Sequence, residues 1–165
     1  MPVPIEQITR LLEDLCASGI EFIVIGGAAG VLHGAPVTTM DLDIVHRRTP
    51  ENIAKLLGVL NRLGAYFHPD LAQRRLAPRE GDLAGHGHLN LQTKYGRLDV
   101  LCELAEQKGY DELLPHTDVF PHGELRLRLL DLPTLIAVKT AAGRPKDRVM
   151  VPILIATLEE RRKGV

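Results

Sequence analysis

Tryptophan is absent from this chain of 165 residues, aromatic residues make up only 4%, and cysteine occurs twice. So few flat side chains leave a stacking platform for single-stranded nucleic acid poorly supplied. Cys16 and Cys102 cannot build a disulfide framework and lack metal-ligand spacing; each sits in an apolar pattern and reads as a buried reduced thiol. Neither sign of charge is in excess, since 20 Lys plus Arg face 21 Asp plus Glu. Without a positive field, long nucleic acid gains nothing from counterion release and is a weak candidate partner. No segment approaches the ~18 apolar residues of a membrane span. The opening MPVPIEQITR has no basic stretch followed by an apolar run, so a cytoplasmic protein is expected.

What is present suits a globular fold: 45% hydrophobic and 25% charged residues, in a length that fits one domain spanning 1–165. Ile5, Ile8, Leu11, Leu12, Leu15 and Cys16 recur at helical spacing, and Gly19 suits the stop. EFIVIGG reads as a buried strand running into a tight turn, with a short helical stretch from Ala28 to His33. DLDIV alternates carboxylates with aliphatics, which predicts a strand with Asp41 and Asp43 on one face and Leu42 and Ile44 on the other. Thr49 before Pro50 predicts a capped helix carrying Ile53, Leu56, Leu57 and Leu60 and ending before Gly64. The stretch from Arg74 to Gly87 is charged and aperiodic, which predicts a mobile loop. HLNLQTK and RLDVLCEL, separated by Tyr95 and Gly96, predict a hairpin. Leu125 to Leu130 suggests one more strand. A helical part over about 131–162 would follow, opened by Asp131 and Pro133, broken at Gly143, and carrying Pro152 as a candidate kink.

Two carboxylates two positions apart on a strand repel each other and fit a sheet poorly. A divalent cation offsets that cost, and magnesium prefers such hard oxygen ligands together with substrate phosphates. Asp99, in Arg97-Leu98-Asp99-Val100-Leu101, stands in the same kind of context, so three acidic groups can meet on one sheet face. The plain alternative is a solvated acidic face. Gly26 and Gly27 follow a strand and precede a helix, where backbone N–H groups can approach an anion unobstructed by Cβ; many such turns use glycine for geometry alone. Lys139, Arg144 and Lys146 lie near helix ends and could reach a triphosphate, as could Lys94 and Arg97 beside the hairpin; surface solvation is the competing reading. His86 and His88 in GHGH offer only two ligands between glycines, which favours a loop without bound metal. His33 reads as a local packing or capping residue.

Taken together, GGAAGVLHGAPVTTMDLDIV and the later RLDVL resemble the nucleotidyltransferase superfamily that shares the polymerase-beta palm, over the chain from about Glu21 to Leu101. The resemblance implies an α/β (α+β) fold with a mixed β-sheet, helices packed on one side, a core over about 20–103 and a C-terminal helical tail. It implies that Gly26, Gly27, Ala28 and Lys139 contact a nucleoside triphosphate. It further implies that Asp41, Asp43 and Asp99 hold two Mg2+ ions, with Asp99 helping to activate an acceptor hydroxyl. A nucleotide monophosphate would pass to a protein or small molecule, and a toxin partner, as in small antitoxin-like members, is one expectation. Two positions depart from the pattern: Ala28 replaces a serine that would bond a phosphate, and Val37 replaces an arginine before the Thr-x-Asp segment. Both motivate the alternative of a nucleotide- or partner-binding module with little turnover.

Overall fold

The computed structural model describes residues 5–164. Helix α1 (Ile5–Ala17) buries Ile8, Leu11, Leu12 and Leu15, the stripe the helical spacing predicts. Strand β1 (Phe22–Ile25) is buried along its whole length and runs directly into α2 (Gly26–Leu32). Strand β2 (Leu42–His46) precedes α3 (Pro50–Arg62), where the Thr49 side chain accepts the Asn52 N–H at 3.3 Å. A short β3 (Tyr66–Phe67) and a single turn α4 (Glu80–Leu83) lead to the hairpin of β4 (His88–Thr93) and β5 (Gly96–Leu101). After the turn α5 (Tyr110–Leu113) come β6 (Thr117–His122) and β7 (Leu125–Leu130), then α6 (Leu132–Ala142) and α7 (Pro145–Arg162).

The seven strands form one mixed sheet in the order β3-β4-β5-β2-β1-β7-β6. β2 lies antiparallel to β1 and parallel to β5, so the two carboxylate-bearing segments are neighbours at the middle of the sheet. Leu42, Ile44, Leu98 and Val100 are fully buried and join one apolar cluster with α1 and α3. At about 25 cal/mol per Å² of apolar surface removed from water, burial of this central layer fixes the register: a one-residue slip would drive Asp43 and Asp99 into the core. The register is therefore what sets the acidic side chains opposite the core.

Several expectations are corrected. Asp41 lies outside the strand, in the bend before Leu42. The Thr39 hydroxyl donates to the Asp41 carbonyl at 2.8 Å, one residue before the β2–β5 ladder begins at Leu42. The stretch from Arg74 to Gly87 is not uniformly loop. Asp82 accepts the Arg79 N–H at 2.8 Å, and fully buried Leu83 receives the His46 Nε2 donor on its carbonyl at 2.8 Å, so α4 is pinned to β2. Cys102 is buried as expected, whereas Cys16 is partly exposed; burial raises the pKa of both thiols. Proline 152 lies within α7, which runs through it. Among the described residues no helix is long and apolar enough to cross a membrane.

Candidate active site

Parallel pairing puts Asp43 beside Asp99, and the antiparallel partners extend that row to Ile25 on β1 and Asn90 on β4. Asp41 joins from the bend before β2. One carboxylate oxygen from each of Asp41, Asp43 and Asp99 lies within 4.8 Å of the others. Asp43 Oδ1 and Asp99 Oδ1 are buried and accept no hydrogen bond from a described residue. Buried polar atoms are ordinarily partnered, and two orphaned carboxylate oxygens in such a cluster could hold a hard divalent cation.

The electrostatics agree with this geometry. Burial, then the charge of Asp41, pushes the Asp43 carboxyl up to about 6. Burial, then the proximity of Asp41 and Asp43, pushes Asp99 up to about 8. In the absence of a cation the cluster therefore holds protons that isolated carboxylates would release.

Gly26 adopts φ +64, and a Cβ built there would run into Asp43 Oδ2; one built on Gly27 would meet Thr39 Oγ1 at 3.0 Å. Both glycines thus make room for the carboxylate cluster and the segment leading to it. Gly26→Ala is expected to cost about 1–2 kcal/mol from the left-handed backbone alone and to displace Asp43. Thermal melts would show a lower melting temperature and a reduced rise on adding MgCl2.

Ala28 is also buried, but it lines a small apolar cavity with Ile5, Ile8, Thr9 and Leu12. Val37 packs beside Gly30 of α2, 3.5 Å from where a Cβ would stand. Neither position supplies a polar side chain to the carboxylates. Lys139 is only 7% exposed, and its ammonium lies 3.3 Å from Asp147 Oδ1. Arg144 donates to the same carboxylate through Nε at 2.8 Å and its backbone N–H at 3.2 Å. Burial pushes the Asp147 carboxyl up, but the Arg144 hydrogen bond and the charge of Lys139 outweigh it and hold the group below its ordinary range. The charges of Lys139 and Lys146 both favour ionised Asp43.

Thr39 and Asp147 stand around the candidate site and were given no role by sequence reasoning. Asp147 had a signal, an acidic residue three positions after the residue that opens a helix; Thr39 stood in the Thr-x-Asp segment, but nothing there marked its hydroxyl as the partner of the Asp41 backbone. The histidines stand apart. His33 donates from Nε2 to the Leu130 carbonyl at 2.8 Å and takes Arg161 on Nδ1 at 3.0 Å. His86 meets Glu103 at 3.2 Å, and Glu103 pairs with Arg48.

No family model matches the chain, and no curated protein is similar to it in sequence. Solved structures do match. The crystal structure of the lincosamide antibiotic adenylyltransferase LnuA, with lincomycin bound, aligns with a TM-score of 0.65 at 13% identity, over 95% of this chain and 99% of that one. The chain has the nucleotidyltransferase fold. The same fold is seen in the antibiotic-resistance factor ANT(2'')-Ia, with a TM-score of 0.61 at 12% identity over 93% of this chain and 83% of that one. A nucleotidyltransferase-like protein from Paracoccidioides brasiliensis aligns at 0.59 with 16% identity, over 96% and 78%. In the nucleotidyltransferase fold of this chain the sheet order brings β1, β2 and β5 together, and with them Gly26, Asp43 and Asp99.

Proposed function

We propose that the protein is a magnesium-dependent nucleotidyltransferase that moves a nucleotide monophosphate from a nucleoside triphosphate to a hydroxyl of a small-molecule acceptor. The convergence of Asp41, Asp43 and Asp99 with two orphaned buried oxygens carries this reading. Magnesium bound there would neutralise the polyphosphate and lower the barrier to attack at the α-phosphorus. Asp41 and Asp43 would hold it on one flank, and Asp99 would complete its ligands on the other. Gly26 and Gly27, which leave room for Asp43 and Thr39, would turn their backbone N–H groups to phosphate oxygens, and Lys139, Arg144 and Lys146 would supply positive charge. Asp99 takes the proton of the acceptor hydroxyl as its oxygen bonds to the α-phosphorus, and pyrophosphate leaves with the electrons of the broken anhydride bond. LnuA, an adenylyltransferase for an antibiotic, is nearly coextensive with this chain, which supports a small acceptor for a chain of this size.

The test is transfer of label from α-phosphate-labelled triphosphates, with magnesium, to host metabolites and host proteins. Wild type is compared with Asp41→Ala plus Asp43→Ala. Loss of transfer in the double variant is the expected result; equal labelling by both proteins would remove the catalytic assignment. Label on a protein, such as a copurifying toxin, would redirect the acceptor. Ala28 and Val37 favour a second reading, a binding module with little turnover, because neither offers a polar group to a phosphate; it predicts triphosphate binding by wild type without label transfer.

A further inference from the structure

The two flanks of the carboxylate cluster are covered by different elements. On the Asp43 side α7 reaches Gly27, with Met150 3.7 Å from where a Cβ would stand, and α7 opens at Arg144 and Asp147, which hold Lys139 of α6. Beyond Asp99 the face continues onto the β4–β5 ribbon, where Asn90 is in register with Asp99 and Gln92 with Arg97. Residues opposite one another in an antiparallel pair share a face, as do residues two apart on a strand. Arg97 therefore stands on the face of Asp99, one residue before the β2–β5 ladder opens at Leu42 and Leu98, at the Asp41 end of the site.

Arg97 differs from its basic neighbours. Lys94 and Arg10 lie over the Tyr95 ring, and Arg75 lies over Tyr66. Among the described residues Arg97 has no ion pair, and its half-buried side chain keeps Nε sealed from solvent with no acceptor. Packing around Nε holds the guanidinium in place and leaves its Nη end, which has no partner among the described residues, as the fork that a carboxylate or phosphate fills with two parallel hydrogen bonds. With the triphosphate on the Asp43 flank, the ground between Arg97 and Asp99 is left to the acceptor.

Resting on the nucleotidyltransferase reading above, we propose that the acceptor is an anionic small molecule. Arg97 binds its carboxylate or phosphate, and its hydroxyl faces Asp99. The acceptor oxygen forms the new bond to the α-phosphorus, the hydroxyl proton goes to the Asp99 carboxylate, and pyrophosphate departs with the bonding pair. Arg97 is thus a specificity-determining residue that takes no part in the bond changes.

The experiment separates host metabolites on an anion exchanger at neutral pH before any reaction. Each fraction is then offered to the enzyme with magnesium and α-labelled ATP, CTP, GTP or UTP. Accepting activity is expected in the retained fractions and is to be destroyed by phosphatase if the anion is a phosphate, or to survive if it is a carboxylate. Arg97→Gln should raise the half-saturating amount of that fraction about tenfold, with kcat and the KM for triphosphate unchanged, since it removes binding common to ground and transition states. Arg97→Lys should recover part of the loss. Unchanged triphosphate KM also shows that the variant is folded. Acceptor activity in the unretained fraction, label only on protein, or equal acceptor saturation by Arg97→Gln each overturns the proposal while leaving nucleotidyl transfer standing. No label from wild type in any fraction overturns the underlying activity, and this inference with it.

Discussion

Asp43→Asn is expected to lower nucleotidyl transfer about a thousandfold or more and, at the same time, to raise the melting temperature of the metal-free protein. The first effect follows from removing a charged oxygen ligand at the centre of the cluster. The second follows from what that ligand costs without a cation. Burial and the neighbouring Asp41 lift Asp43 from 3.8 to about 6. At about 1.4 kcal/mol per pKa unit, ionising it in the fold costs on the order of 3 kcal/mol at pH 8. The amide keeps the shape, carries no charge, and can donate to the orphaned Asp99 oxygen.

The pH dependence has a definite sign. A carboxyl with a raised pKa in the fold binds its proton more tightly there than in the unfolded chain. Its contribution to stability is full below the unfolded pKa of about 4 and is lost as pH climbs through the folded values, about 6 for Asp43 and about 8 for Asp99. Metal-free wild type should therefore lose stability from about pH 4 to pH 8, and Asp43→Asn should flatten that fall. Magnesium should stabilise wild type more at pH 8 than at pH 5, because at the lower pH it must displace protons. Thermal melts in EDTA and in MgCl2 across this range measure all three effects. A variant no more stable than wild type at pH 8 without metal would show that the carboxylates do not strain one another.

Much of the site was legible because its parts are local in sequence. The alternation in DLDIV and RLDVL marks which residues face the core, and a fully buried Leu42, Ile44, Leu98 and Val100 leave Asp43 and Asp99 only the opposite face. The glycine pair was legible as the turn between β1 and α2, but the sequence reading assigned it to a phosphate and did not foresee that the space a Gly26 Cβ would need is filled by the Asp43 carboxylate. The bend at Asp41 was not legible, because alternation extends one residue beyond the strand, to the carbonyl that accepts the Thr39 hydroxyl. β6 was missed because TDVFPH carries a proline and has exposed Val119 and Pro121, as an edge strand does. The tie between α4 and His46 joins residues 37 apart through a backbone carbonyl, and no side-chain pattern encodes such a contact. Lys139 shows the same limit from another direction: a lysine near a helix end reads as surface, yet here it is buried by a partner on the next helix.

That partner sets the other large expectation. Asp147→Ala should destabilise the protein by about 3–5 kcal/mol, the usual cost of leaving one member of a buried ion pair alone, out of a total of roughly 5–15 kcal/mol for a domain. Asp147 is fully buried and receives Lys139, the Arg144 side chain and the Arg144 backbone N–H. It therefore joins the last turn of α6 to the first turn of α7. With alanine there, Lys139 keeps its burial but loses its counter-charge, and α7 loses the acceptor at its start. Urea unfolding in EDTA at pH 7 measures the loss, and a change under about 1 kcal/mol would mean that the pair is solvated in solution. Adding Lys139→Met to Asp147→Ala should recover part of the stability, because the methionine fills the space without a charge to desolvate. The two variants should part company in triphosphate binding: the double variant, though more stable than Asp147→Ala, should bind labelled triphosphate more weakly than wild type. Recovery of both properties together would assign Lys139 to holding the helices and remove it from the nucleotide site.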